Sequence, residues 1–195
     1  EYDYYGASGV IDSIDKYLFD KPLLLIGEDG ANLLLRSKQI AFIARGKYWV
    51  NNHAHVLDSL NEDILQYLAV YINAIDLSPY VTGTAQPKMN QAKMNSIVVA
   101  LPPLAEQKRI VAKVNELFTQ TRALEAKLRR AQEAIVVVNR AVLHHLHHAA
   151  DNATFQHAAQ ILGDHFDLLY TDPRPVTDLR QTILQLAVQG KLVPQ

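Results

Sequence analysis

Residues 104–148 read LAEQKRIVAKVNELFTQTRALEAKLRRAQEAIVVVNRAVLHHLHH, and this stretch decides the fold. It holds neither proline nor glycine, so nothing in it breaks a helix. Pro102 and Pro103 stand just before it, where a first helical turn tolerates proline, and Glu106 suits the positive end of the helix dipole. At 1.5 Å per residue such a helix runs roughly 65 Å, longer than a small domain is wide. Ile110, Val114, Leu117, Thr121, Leu124, Leu128, Ala131, Ile135, Val138 and Val142 step by four and three without a slip. A seam kept at a 3.5-residue period predicts a partner helix wound around it. Its apolar contacts are Ile110, Val114, Leu117, Leu124, Leu128, Ile135, Val138 and Val142, and Thr121 is a polar register marker at mid-seam. The alternative is a long helix lying on its own domain.

On the C-terminal side, residues 149–175 read as a linker with a short helix around Phe155–Leu162, closed by the rigid break Asp172-Pro173-Arg174-Pro175. Thr177 or Asp178 then caps a second helix in which Val176, Leu179, Ile183 and Leu186 recur; Gly190 ends it, with Pro194 beyond. That helix is too short to stand alone and wants a neighbour, either the long helix or another chain. On the N-terminal side, residues 1–101 read as mostly β. Apolar runs at Leu23–Ile26, Leu33–Leu35 and Ile40–Ala44 are separated by turn residues, and Tyr48–Val50 and the alternation His53–Leu57 continue the strand pattern. Ile64, Leu65, Leu68, Tyr71, Ile72 and Ile75 recur at helical spacing over 62–75 behind the N-cap Asn61, and Ile97–Leu101 reads as a closing strand. The fold class is α+β: a mostly β domain with a small helix (1–101), the long helix (102–148), a linker (149–175), and a short amphipathic helix with a tail (176–195). The opening Glu1-Tyr2-Asp3 is neither a signal peptide nor an initiator, so the chain is expected to begin inside a domain.

The 195 residues include no cysteine, which excludes a disulfide scaffold and a thiolate metal site and fits a reducing cytoplasm. No apolar run is long enough to span a membrane. The net charge of −1 argues for no partner, but two windows, 30–57 and 77–105, contain no acid. The first holds Arg36, Lys38, Arg45 and Lys47, the second Lys88 and Lys93. A polyanion can lie against such windows without repulsion; equally, they are acid-poor loops in a neutral protein. Arg45–His53 interleaves cations, aromatics and amides, and Thr82–Gln91 is a second polar loop. Cations suit phosphates and guanine edges, amides suit adenine edges, and aromatics offer flat surfaces. Lys38, Arg45, Lys47, Tyr48, Asn51, Asn52, His53, Thr84, Gln86, Lys88, Asn90 and Gln91 are therefore the candidate DNA contacts. The competing reading puts Tyr48 and Trp49 in the core and has the amides cap turns, Asn51 and Asn90 first among them.

Catalytic chemistry finds no foothold. There is no Gly-rich phosphate loop, no nucleophile elbow and no Asn-Pro-Pro-aromatic box; Leu101-Pro102-Pro103-Leu104 lacks both the amide and the aromatic. Glu28-Asp29 sits in a turn-like Gly-x-x-Gly and reads as structural. His144 and His148 lie one helical turn apart without an evident third ligand, and His144, His145, His147 and His148 together suit a helix C-terminus. No catalytic residue, metal or cofactor is expected. The rivals are a catalytically active DNA methyltransferase or nuclease, and a purely structural coiled-coil adaptor.

Five motifs occur in order: Tyr4-Tyr5-Gly6-Ala7-Ser8-Gly9, Leu25-Ile26-Gly27-Glu28-Asp29-Gly30-Ala31-Asn32, Ala44 to His53, Ala85-Gln86-Pro87-Lys88-Met89-Asn90-Gln91, and Pro102 to Val111. Together they resemble the target-recognition domain and adjoining helix of type I restriction-modification specificity subunits. Leu179 through Gln195 is similar to that family's short helix preceding a recognition domain. The resemblance implies a non-catalytic subunit in the prokaryotic cytoplasm that binds double-stranded DNA. Family members usually carry two recognition domains, each reading half of a split site, with two antiparallel long helices setting the gap. Their partners are modification subunits, which bind S-adenosylmethionine and methylate adenine, and restriction-translocase subunits, which cut. This chain departs from that pattern with one recognition domain and one long helix, as a fragment would, or a half-size subunit that associates with itself through the long helix.

Overall fold

The structure, a computed structural model, describes residues 1–192. It divides into two compact units, Glu1–Phe118 and Thr119–Gln195. The first contains strands β1 (Tyr2–Gly6), β2 (Gly9–Ile14), β3 (Phe19–Asp20), β4 (Leu23–Gly27), β5 (Ala41–Ala44), β6 (Lys47–Val50) and β7 (Ala54–Leu57). Helix α1 (Asn32–Leu35) lies between β4 and β5, α2 (Glu62–Ala74) and α3 (Gln91–Asn95) follow the strands, and the start of α4 (Leu104–His148) completes the unit. The strands form two sheets, ordered β2-β1-β6-β3 and β5-β4-β7. Among the described residues, only the β1–β6 pairing is parallel.

Strand β4 explains the arrangement. All five of its residues are buried, because successive side chains point to opposite faces and each face meets a core. Leu24 and Ile26 join Ile40, Ala41, Leu65, Ile72, Leu77 and Met89. Leu23 and Leu25 join Ala44, Tyr48, Val50 and Ala54. Helix α2 covers the first core, and Asn61 caps it by accepting from the Asp63 amide at 2.8 Å. At the other end of α2, Arg36 adopts a left-handed backbone (φ 52°) and its guanidinium donates to the Ile72, Asn73 and Ile75 carbonyls. One side chain thus satisfies acceptors that a helix end leaves open.

Two β expectations fail. Leu33–Leu35 is the single helical turn α1, bounded by Gly30 (φ 101°) and left-handed Arg36, and only Leu33 is buried. Residues 97–101 form no strand. They lie beside α2, where the Tyr71 hydroxyl donates to Val98 O (3.0 Å) and the Tyr67 hydroxyl to Ala100 O (2.6 Å). Helix α4 then starts as expected after the two prolines. The Gln107 amide side chain donates to Pro102 O at 2.7 Å, Lys108 pairs with Asp63 at 2.9 Å, and Val111 is buried.

The second unit packs the rest of α4 with α5 (Asn152–Asp164), α6 (Phe166–Leu169) and α7 (Pro175–Val188). Most of the stretch read as a linker is thus helical: Asp151 caps α5 by accepting from the Thr154 amide at 2.7 Å. Val142, Leu143, Leu146 and Ala158 form the core, with Phe155, Ile161, Leu162 and Leu179 against it. Neither Thr177 nor Asp178 caps α7; Pro175 opens it, and Asp178 pairs with Arg140 at 3.2 Å. Gly190 (φ 68°) ends it: the Gly190 amide reaches Ala187 O (3.1 Å) and the Lys191 amide reaches Leu186 O (3.0 Å), a Schellman closure. Pro194, the expected stop beyond, lies outside the described residues. No described helix is long and apolar enough to cross a membrane.

Candidate nucleic-acid interface

Four separated segments meet where β4 ends. The Glu28 amide donates to His53 O (2.9 Å), the Met89 amide to Glu28 O (2.7 Å) and the Gly30 amide to Pro87 O (2.9 Å). The Asn51 amide donates to Tyr5 O at 3.0 Å. At Gly27 a β-carbon would sit 2.5 Å from Ala7 O, so only glycine lets the β1–β2 turn approach this closely. Thr82 and Lys88 exchange backbone hydrogen bonds at 2.8 Å, closing a loop that turns at Gly83 (φ 84°). The β1–β2 turn, the end of β4, the β6–β7 turn and the 82–90 loop therefore form one surface.

Side-chain pairs cross this surface. Lys88 Nζ lies 3.0 Å from Glu28 Oε1, and His53 Nδ1 lies 2.7 Å from Asp29 Oδ2. The Glu28 carboxylate beside it raises the Lys88 pKa above that of an ordinary lysine. His55 sits underneath, with Nε2 2.7 Å from Met89 O and Nδ1 3.9 Å from Glu28.

The candidate contacts separate into groups. Asn52, Thr84, Gln86 and Gln91 are exposed here and have no side-chain partner among the described residues. Lys38 is exposed in a loop that reaches the same end: Asn32 holds its backbone, and the nearby Ile40 O accepts from the Gly27 amide. Asn51 accepts from the His53 amide (2.9 Å) and Asn90 caps α3 by accepting from the Lys93 amide (3.0 Å), so both amides hold their own loops. Arg45 and Lys47 belong to the opposite end of the strands, since Ala44 pairs with Leu23, at the far end of β4 from Gly27. There Arg45 pairs with Glu62, while Lys47 sits 3.9 Å from Asp20 and 4.8 Å from the Tyr17 ring centre. Tyr48 contradicts its assignment as a DNA contact: it is fully buried, and its hydroxyl donates to Lys21 O at 2.9 Å.

Folding also brings acids to both ends. Glu28 and Asp29, and likewise Asp20 and Glu62, are remote in sequence from the side chains they meet, so acid-free windows do not make an acid-free surface. These pairing partners were not visible in the sequence; the adjacent pair Glu28-Asp29 between two glycines was the one sign of them.

Along the seam, Ile110, Val114 and Ile135 are half-buried and Val142 is buried. Leu117, Leu124, Leu128 and Val138 are 47%, 57%, 56% and 50% exposed within the chain. The His144 and His148 rings stack with centres 4.1 Å apart, and the described residues hold no group of three metal-ligand side chains.

The family model described as the type I restriction modification DNA specificity domain matches residues 1–133, which include every segment of this surface. The chain is similar to a Haemophilus influenzae protein named as type I restriction enzyme specificity subunit S.HindORF215P, with 32% identity over 118 residues, 60% of this chain and 30% of that one. It is also similar to the type I restriction enzyme EcoAI specificity subunit of Escherichia coli, with 34% identity over 119 residues, 59% of this chain and 20% of that one. The solved S subunit of a type-I restriction-modification system from M. genitalium overlaps 80% of this chain and 41% of that one at a TM-score of 0.42 and 17% identity, too little to bear on the fold or the site. The chain spans less than a third of the length of the two curated relatives. By the match over residues 1–133, it belongs to the family of type I restriction modification DNA specificity domains.

Proposed function

We propose that the chain is a DNA-reading part of a type I restriction-modification specificity subunit, and that it catalyses nothing itself. The observation that carries this reading is the convergence of four motif segments on one surface whose unpartnered side chains, Asn52, Thr84, Gln86 and Gln91, are neutral donors and acceptors. Such groups suit base edges, and Lys38 beside them suits a phosphate. Arg45, Lys47 and Tyr48 have no part in this surface. Modification subunits carry out methylation and restriction-translocase subunits the cutting, in a prokaryotic cytoplasm. The seam on α4 associates with a second copy and sets the distance between half-sites.

We expect the pure chain to bind duplex DNA, to transfer no methyl group from labelled S-adenosylmethionine, and to leave plasmid intact with magnesium. Replacing Asn52 or Gln86 by alanine should cost about 1–3 kcal/mol at one base pair only, measured on a randomised duplex, wherever that amide reads a base. Lys38→Gln should weaken all sequences alike and reduce the salt slope by about one. Methyl transfer or cutting without added subunits would overturn the non-catalytic reading. If Lys38, Asn52 and Gln86 can all be replaced in a folded chain with affinity and preference unchanged, the DNA surface is elsewhere.

A further inference from the structure

A face that receives phosphates is ordinarily free of carboxylates, because each one repels the polyanion. Here Glu28 and Asp29 stand at the centre of the face, with side chains only 20% and 15% exposed. Each is committed to a side chain from a different segment, Glu28 to the Lys88 ammonium and Asp29 to the His53 ring. His55 is the other titratable group facing Glu28. The loops do not need these pairs to close, since backbone hydrogen bonds from Glu28, Gly30 and Met89 already join them. What the pairs change is charge and hydrogen-bonding capacity: Glu28 cancels the Lys88 cation, Asp29 occupies the His53 ring nitrogen, and the neutral amides and hydroxyls stay open.

Resting on the DNA reading above, we propose that Glu28 and Asp29 are positioning residues for specificity, which withhold Lys88 and His53 from the phosphate backbone. Sequence-independent attraction is thereby kept low, and a larger share of the affinity comes from base contacts. A freed lysine adds a phosphate contact to every sequence equally, so it raises binding to random DNA and flattens preference.

The test uses the full chain and a random-sequence duplex, titrated between about 50 and 200 mM salt. Glu28→Gln keeps the shape and removes the charge. It should bind random duplex more tightly than the parent, with a log–log salt slope steeper by about one, so that its advantage grows about 3.5-fold as salt falls across that range. Asp29→Asn should move affinity in the same direction. Adding Lys88→Gln to Glu28→Gln should restore the parent's slope, which a purely loop-holding role does not predict. Lys88→Gln alone uncovers the Glu28 carboxylate and should lower random-duplex affinity, but it removes no phosphate contact and should keep the parent's salt slope, and this arm decides the matter even if Glu28→Gln fails to fold. A folded Glu28→Gln chain with an unchanged or shallower slope overturns the proposal, as does a Lys88→Gln chain that loses about one unit of slope. No duplex binding by the parent at any salt would instead overturn the DNA reading itself.

Discussion

Tyr48→Ala should unfold the N-terminal unit rather than relax DNA preference. The ring is fully buried between the two sheets, among Leu23, Leu25, Ala44, Val50 and Ala54, with Tyr5 and Phe19 at centre distances of 5.4 and 5.7 Å. Truncating a buried aromatic to alanine costs about 3–5 kcal/mol, which compares with the whole stability of a domain at about 5–15 kcal/mol. Tyr48→Phe keeps the ring and leaves Lys21 O without its donor, for about 1–3 kcal/mol. The hydroxyl also couples stability to pH. Burial, the largest influence, with smaller ones from Tyr5 and Asp58, pushes its pKa from 10.0 up to about 12. The folded chain therefore keeps a proton that the unfolded chain releases, so this stabilisation is complete below about pH 10 and is lost as the pH climbs through about 12. Tyr48→Phe should lack that part of the slope. Thermal melts of the three chains, repeated across this pH range, check both statements. An alanine variant that melts with the parent yet binds DNA poorly would return Tyr48 to the surface.

The signal that places Tyr48 inside was legible. In Lys47-Tyr48-Trp49-Val50, alternate side chains share a face, and Val50 marks the apolar one. The residue's chemistry drew it toward the DNA face, and the strand period outweighs the chemistry. The elements read correctly are those whose information is local. Helix α2 shows its 3.6-residue period and its cap, α4 lacks any breaker over 45 residues, and β4 is a short apolar run between turns. The elements not read depend on distant partners. Strand β1 is held by β6 in parallel register, Asp3 against Tyr48, across some forty residues of intervening chain that no window spans. Leu33–Leu35 carries a strand's letters, but Gly30 and left-handed Arg36 set it as a turn of helix. The same limit applies to the site. Each loop was visible by its polar residues, yet the pairing of Lys88 with Glu28 joins positions sixty residues apart and follows only from the way Met89, Pro87 and His53 dock on the end of β4.

The double change Leu124→Asp with Leu128→Asp should abolish association between copies of the chain while leaving each copy folded. Both leucines are more than half exposed within the chain, so neither supports its own unit's core. They sit at consecutive seam positions, one helical turn apart, where a 3.5-residue period predicts a facing helix. Farther along α4 the requirement is already met, because Val142 is buried in a core that α5 and Leu179 complete. At the middle of the helix no described residue plays that part, since Leu124 and Leu128 stay exposed, and a second copy would supply an identical seam. A dimer would lose four leucines at about 1.5–3 kcal/mol each, before counting the cost of unpaired carboxylates in a dry seam. At about 1.4 kcal/mol per tenfold, association should weaken at least ten-thousand-fold. Sedimentation over a concentration series reads this directly, with the parent dimeric where the variant is monomeric. Val137→Asp is the control: Val137 is 66% exposed but lies off the seam, so its replacement should leave association intact. A double variant that sediments like the parent would show that the seam is not an interface. A parent that stays monomeric throughout would show that its partner is a different helix.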